Sequence, residues 1–238
     1  MEIQGMRCEE EETEETYALF PLTPDEDDDR RDDLHWRGLE LDWDAIEHAD
    51  ITLEGFRIEN ARHGIRANQA HRLKIRANEI AAPSSTGIKI TRTNDAIVDS
   101  NLIDGAVSRG IHGTDSPNFY VRNNLVTNTG DWSIQADTAQ EEDVVGGTTI
   151  AFNTVAGFGT GGIRLANATG RVRDNIVFGT GNVGIKTDTA PVDLHHNNIL
   201  GPNSLFDESS GEEPRRWSNR SEPPGFVDQA SGDYRLMS

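Results

Sequence analysis

Six residues, set 22 to 29 positions apart, could do chemistry together: Arg66, Lys89, His112, Gln135, Arg164 and Lys186. Five of them are cationic or can become so, in a chain whose formal net charge is −19. His63, Arg109 and Trp132 each stand three positions before a member of this series, and Asp137 two after Gln135. Arginine and lysine bind carboxylates, arginine in a bidentate fork. An indole offers a flat apolar face. His112 or Lys89 could act as a general base at a carbon bearing an acidic proton, and Arg109 could stabilise the charge that develops there. His63, Arg66, Trp132, Gln135, Arg164 and Lys186 would hold the ligand. Asp137, Glu141, Glu142 and Asp143 form a second group, whose oxygens suit calcium. Each group also has a plain alternative. Long charged side chains keep a strand surface solvated, Asp137 could be only a counterion, and an acidic loop could be only a loop.

These residues can meet only if the chain returns to one place at each repeat, and two further markers say that it does. Asparagine recurs two positions before an aliphatic residue at Asn78, Asn101, Asn124, Asn153, Asn175 and Asn197, at intervals of 23, 23, 29, 22 and 22. A small residue precedes isoleucine at Ile65, Ile88, Ile111, Ile134, Ile163 and Ile185, with the same single long interval. A period of this length points to stacked repeats. Inside each unit the apolar residues alternate (Leu73 and Ile75, Phe119 and Val121, Val192 and Leu194), which is the strand period, and no unit carries a helical stretch. Three short strands per unit cannot bury their own apolar faces, but pairing in parallel with the next unit can. An inward asparagine is costly unless its amide is paired, and stacked asparagines can pair with one another. The asparagine column therefore reads as structural.

Over about residues 50–206 this pattern resembles the right-handed parallel β-helix repeat proteins of the pectate-lyase-like or pectin-lyase-like superfamily. The resemblance implies an all-β, single-stranded right-handed parallel β-helix of about six to seven coils, with a carbohydrate-active function. The expected partner is an anionic, uronate-type polysaccharide, and the expected reactions are β-elimination by a polysaccharide lyase or C5 epimerisation. The alternative is a non-catalytic surface or structural solenoid. Lys89 with Arg109 or Arg66 resembles the Lys and Arg pair of the chondroitinase-B-like and alginate-lyase-like branch. The aspartate cluster of pectate lyases and the paired aspartates of polygalacturonases have no counterpart here. The resemblance also implies an extracellular or cell-surface setting and a monomer, with no cofactor or with Ca2+.

The ends differ from the middle. Residues 1–34 hold 14 acids against Arg7, Arg30 and Arg31, a net of −11, whereas residues 50–198 are nearly balanced. Like-charge blocks stay solvated, so 1–34 is expected to be a disordered acidic lead, 35–206 the β-helix and 207–238 an irregular tail. The lead has no apolar signal region. The motif around Pro224–Asp228 and Gly232–Leu236 resembles a segment that follows the last coil in this family, and the chain is expected to be a piece of a longer protein. Cys8 is a single cysteine, which excludes an intramolecular disulfide. The absence of a net basic patch argues against nucleic acid, and no run is long enough for a membrane span. A third outward surface, with Lys74, Arg76, Arg171 and Arg173, reads as ordinary. His195 and His196 are expected to face opposite ways, as strand neighbours do, which argues against a metal site there.

Overall fold

The computed structural model describes Met6–Cys8 and Leu39–Asp42 as strands, and then residues 50–137, 147–188, 192–208, 215–228 and 233–237. Among these residues no helix occurs, and the chain winds as a parallel β-solenoid of about six turns. Each turn gives one strand to each of three sheets of eight, nine and seven strands. The eight-stranded sheet contains His63–Asn68, Thr86–Thr91, Ile111–Thr114, Trp132–Asp137, Gly161–Ala166 and Val183–Thr187. It carries the isoleucine marker in register, Ile65 on Ile88, Ile88 on Ile111, and so on to Ile185 on Phe206.

The core is built from columns. Ile65, Ile88, Ile111, Ile134, Ile163 and Ile185 are buried, and so are Leu53, Ile75, Val98, Val121, Ile150, Val172 and Leu194 of the nine-stranded sheet. β-Branched side chains suit this pleated surface, where each stacks on its counterpart one coil away. The small residue before each marker isoleucine has a steric cause. A Cβ at Gly87 would stand 2.6 Å from both Gly110 O and Ile103 Cγ2, so the next coil and the neighbouring sheet leave no room for a larger side chain.

The asparagines close a ladder. Asn101 Oδ1 accepts from Asn78 N at 3.1 Å and Asn78 Nδ2 at 2.9 Å, while Asn101 Nδ2 donates to Asn124 Oδ1, Ile75 O and Asp99 O. Similar bonds run on through Asn124, Asn153, Asn175 and Asn197. Asn219 continues the ladder, accepting from Asn197 N at 2.9 Å and Asn197 Nδ2 at 3.0 Å. The solenoid therefore passes the boundary expected at residue 206. Ser204–Glu208 joins the eight-stranded sheet and Arg215–Trp217 the nine-stranded one. The aliphatic partner that marks the other asparagines is Ser221 here, which hid this rung.

Both ends are covered. Met6–Cys8 pairs antiparallel with Ile51–Glu54, and Leu39–Asp42 pairs parallel with His63–Asn68. At the other end Phe226–Asp228 and Asp233–Leu236 form an antiparallel pair, and Phe226 packs edge-on against Phe178 of the coil. The rest of the 1–34 lead lies outside the described residues.

Replacing Asn124 by leucine keeps the branched shape but leaves Asn101 N without its acceptor and takes a donor from Val98 O and from Arg122 O. Unpaired buried groups cost about 1–3 kcal/mol each. Urea unfolding of Asn124→Leu is expected to show a loss of at least about 3 kcal/mol, and a Val107→Ala control at an exposed position is expected to lose less than about 0.5 kcal/mol.

Candidate functional site

The eight-stranded sheet brings the expected series together. Arg66, Lys89, His112, Gln135, Arg164 and Lys186 are successive partners across parallel strands, with Asp207 next to Lys186. Neighbouring strands lie about 4.8 Å apart, so these side chains form a column on one face. They are not equivalent, because what lies beside each rung differs.

The middle rung holds a connected network. Arg109 Nε donates to Gln135 Oε1 at 2.6 Å, and Gln135 Nε2 donates to Asp137 Oδ1 at 2.9 Å and Oδ2 at 2.7 Å. His112 Nε2 lies 2.8 Å from Asp137 Oδ2 and 3.2 Å from Thr114 Oγ1. The His112 side chain is 12 % exposed and that of Asp137 29 %. Burial alone would raise the Asp137 carboxyl, but hydrogen bonds from His112 and Gln135 outweigh it and hold the group below its ordinary value. Asp137 is thus ionised at neutral pH, and in the His112 tautomer that donates to it from Nε2 the lone pair lies on Nδ1.

Four expectations change here. Trp132 does not present its face to a ligand. It is only 5 % exposed, and its indole fills the space left where Gly161 has no side chain. Gln135 is 2 % exposed and works as a brace between Arg109 and Asp137. Arg109 is tied to Gln135 and lies 3.6 Å from Asp131, so it positions the network. Asp137, expected as a calcium ligand, is engaged with His112 and Gln135. Glu141, Glu142 and Asp143 lie outside the described residues. Among the described residues no group of three or more His, Cys, Asp or Glu converges to hold a metal.

The flanks of the column differ in charge balance. Toward the C-terminal coils, Arg164 donates to Asp188 at 2.5 and 2.7 Å, and Lys186 meets Asp207 at 2.9 Å and Asp188 at 3.4 Å. Toward the N-terminal coils, Lys89 has no carboxylate in ion-pairing range among the described residues. His63 lies next to it, with Nδ1 buried and without a partner. Burial, with Lys89, Arg62 and Arg66 nearby, lowers the His63 pKa to about 4. Lys89, Arg62 and Arg66 thus place positive potential on the half-buried imidazole of His63.

Residues 45–199 match the family model described as the right handed beta helix region. No curated protein and no solved structure matches the chain.

The His63 pKa sets a pH dependence. The unfolded side chain binds a proton near 6.5, the folded one only near 4, so stability is full above pH 6.5 and falls as pH drops toward 4. NMR titration is expected to give a His63 midpoint near 4, and Lys89→Met is expected to move it upward. A midpoint near 6.5 in the unsubstituted protein would contradict this geometry.

Proposed function

The chain belongs to the right-handed β-helix family, and we propose that it binds an anionic, uronate-type polysaccharide along the eight-stranded sheet and acts on it as a lyase or C5-epimerase. One observation carries this reading. His112 is fixed by Asp137 in the rung beside Lys89, a cation without a carboxylate partner among the described residues. A fixed, orientable base next to an unneutralised cation is what proton abstraction beside a carboxylate requires.

The residues then divide the work. Lys89, with Arg66 one rung below, takes the sugar carboxylate, which acidifies the proton on the neighbouring carbon. His112 Nδ1 accepts that proton, while Asp137 supports the imidazolium that forms. Electrons from the broken C–H bond delocalise into the carboxylate, and Lys89 offsets the charge. In β-elimination the pair then forms the C4–C5 double bond, and the bond to the glycosidic oxygen breaks. That oxygen leaves with a proton from the imidazolium or from water. In epimerisation a proton returns to the opposite face instead. Arg109 and Gln135 hold Asp137 in place throughout. An extracellular or cell-surface setting and a monomeric state belong to the same proposal.

The pairing of Arg164 and Lys186 with Asp188 and Asp207 supports the second reading, a non-catalytic surface or structural solenoid. Cations neutralised within the protein keep a sheet soluble and have less left for a ligand.

Incubation with a panel of uronate polymers, with and without calcium, followed by the ultraviolet absorbance of unsaturated sugar ends, separates these readings. A lyase gives a rise that His112→Ala lowers by about 10²–10⁴-fold. Asp137→Asn, which cannot hold the imidazolium, is expected to lower kcat more than it raises KM and to shift the pH profile. An epimerase gives no rise but exchanges solvent deuterium into the polymer. Neither signal, together with no binding, would sink the proposal.

A further inference from the structure

A corner of the nine-stranded sheet holds two histidines that play no part in the face described above. His195 ends the strand Val192–His195, and His196 follows with φ 55°. The same left-handed conformation precedes the ladder asparagine in every coil, at Ala77, Ser100, Asn123, Phe152, Asp174, His196 and Ser218. It turns the chain at that corner. Two neighbours that would face opposite ways in an extended strand are thereby brought to one side, contrary to the sequence expectation. The His195 and His196 Nδ1 atoms lie 2.9 Å apart with the rings at 85°. The outer face of the pair is set by Trp217, whose ring stacks on His195 with centroids 4.4 Å apart and planes at 10°.

We propose that His195 and His196 form a two-nitrogen chelate for a divalent transition-metal ion of tetragonal preference, Cu2+ or Ni2+. Two facing Nδ1 atoms share one proton between two lone pairs, and a cation that takes its place can use both. With metal–nitrogen bonds of about 2.05 Å, nitrogens 2.9 Å apart subtend about 90° at the ion. A tetrahedral ion would need them about 3.3 Å apart. Right-angled nitrogen donors suit Cu2+ and Ni2+, and imidazole affinity peaks at Cu2+. Asp174 and Asp193 add negative charge around His195. Both are engaged by arginines, Asp174 by Arg173 and Asp193 by Arg171 and Arg215, so they act through the field and not as ligands. Water fills the remaining positions. The stacked Trp217 holds the His195 ring in the chelating orientation and reports on the ion. The pair lies on a different sheet from Lys89 and His112, so this proposal stands independently of the polysaccharide reading.

The test is titration of the tag-free full chain with CuCl2 and NiCl2 near pH 7, followed by tryptophan fluorescence and calorimetry. The expected result is saturable quenching at one equivalent, tighter for Cu2+ than for Ni2+. His195→Ala and His196→Asn are each expected to weaken binding by roughly tenfold or more. Asparagine tolerates the left-handed backbone, so His196→Asn tests the nitrogen and spares the corner. Trp217→Phe should remove the quenching while calorimetric binding remains. Absence of saturable binding, or saturable binding that neither histidine variant weakens, would overturn the proposal.

Discussion

The structure depends on the hydrogen-bonded stack of asparagines from Asn78 to Asn219. From Asn78 to Asn197 each side-chain amide donates to both adjacent coils and accepts from the preceding one, so none can shift along the chain without orphaning its neighbours. Burying a primary amide is expensive, and here the cost is offset only in the correct register. That makes the ladder a source of specificity as well as of stability. The left-handed residue before each asparagine turns the chain at a fixed corner, where strands of the nine-stranded sheet end and those of the seven-stranded sheet follow.

Register has a consequence for charge. Once coils stack in step, equivalent residues are forced into columns about 4.8 Å apart, and a repeated cation repels its own copies. Two solutions appear on one sheet. In the C-terminal coils carboxylates beside the column, Asp188 and Asp207, neutralise Arg164 and Lys186. In the N-terminal coils Lys89 stays without such a partner among the described residues, and burial, with Lys89, Arg62 and Arg66 nearby, keeps His63 neutral. Between them the network through Arg109, Gln135, Asp137 and His112 joins the two regimes. The charge balance of the face therefore changes along the solenoid axis, at the rungs of Lys89 and His112.

Period and column membership were legible in the sequence because both follow from spacing alone. The all-β parallel architecture and the register of the isoleucines came from the same source. What spacing hides is the sideways neighbour. Trp132 reads as an outward aromatic until Gly161, one coil on, is seen to leave the space its indole fills. Gln135 reads as a ligand-binding amide, yet it is a brace, since its partners Arg109 and Asp137 are two residues or a whole coil away. Asn219 lacked the aliphatic companion that marks the other rungs. His195 and His196 obeyed the turn at the corner and not the strand alternation, and only the recurring left-handed residue before each asparagine could have signalled it.

The most direct measurement is the footprint of a uronate oligosaccharide on the isotopically labelled protein, read from amide and side-chain chemical shifts at low salt. The account predicts shifts centred on Arg66, Lys89 and His112 that vanish in Lys89→Ala and weaken with added salt. Shifts centred on Arg164 and Lys186, on the nine-stranded sheet, or nowhere at all would contradict it.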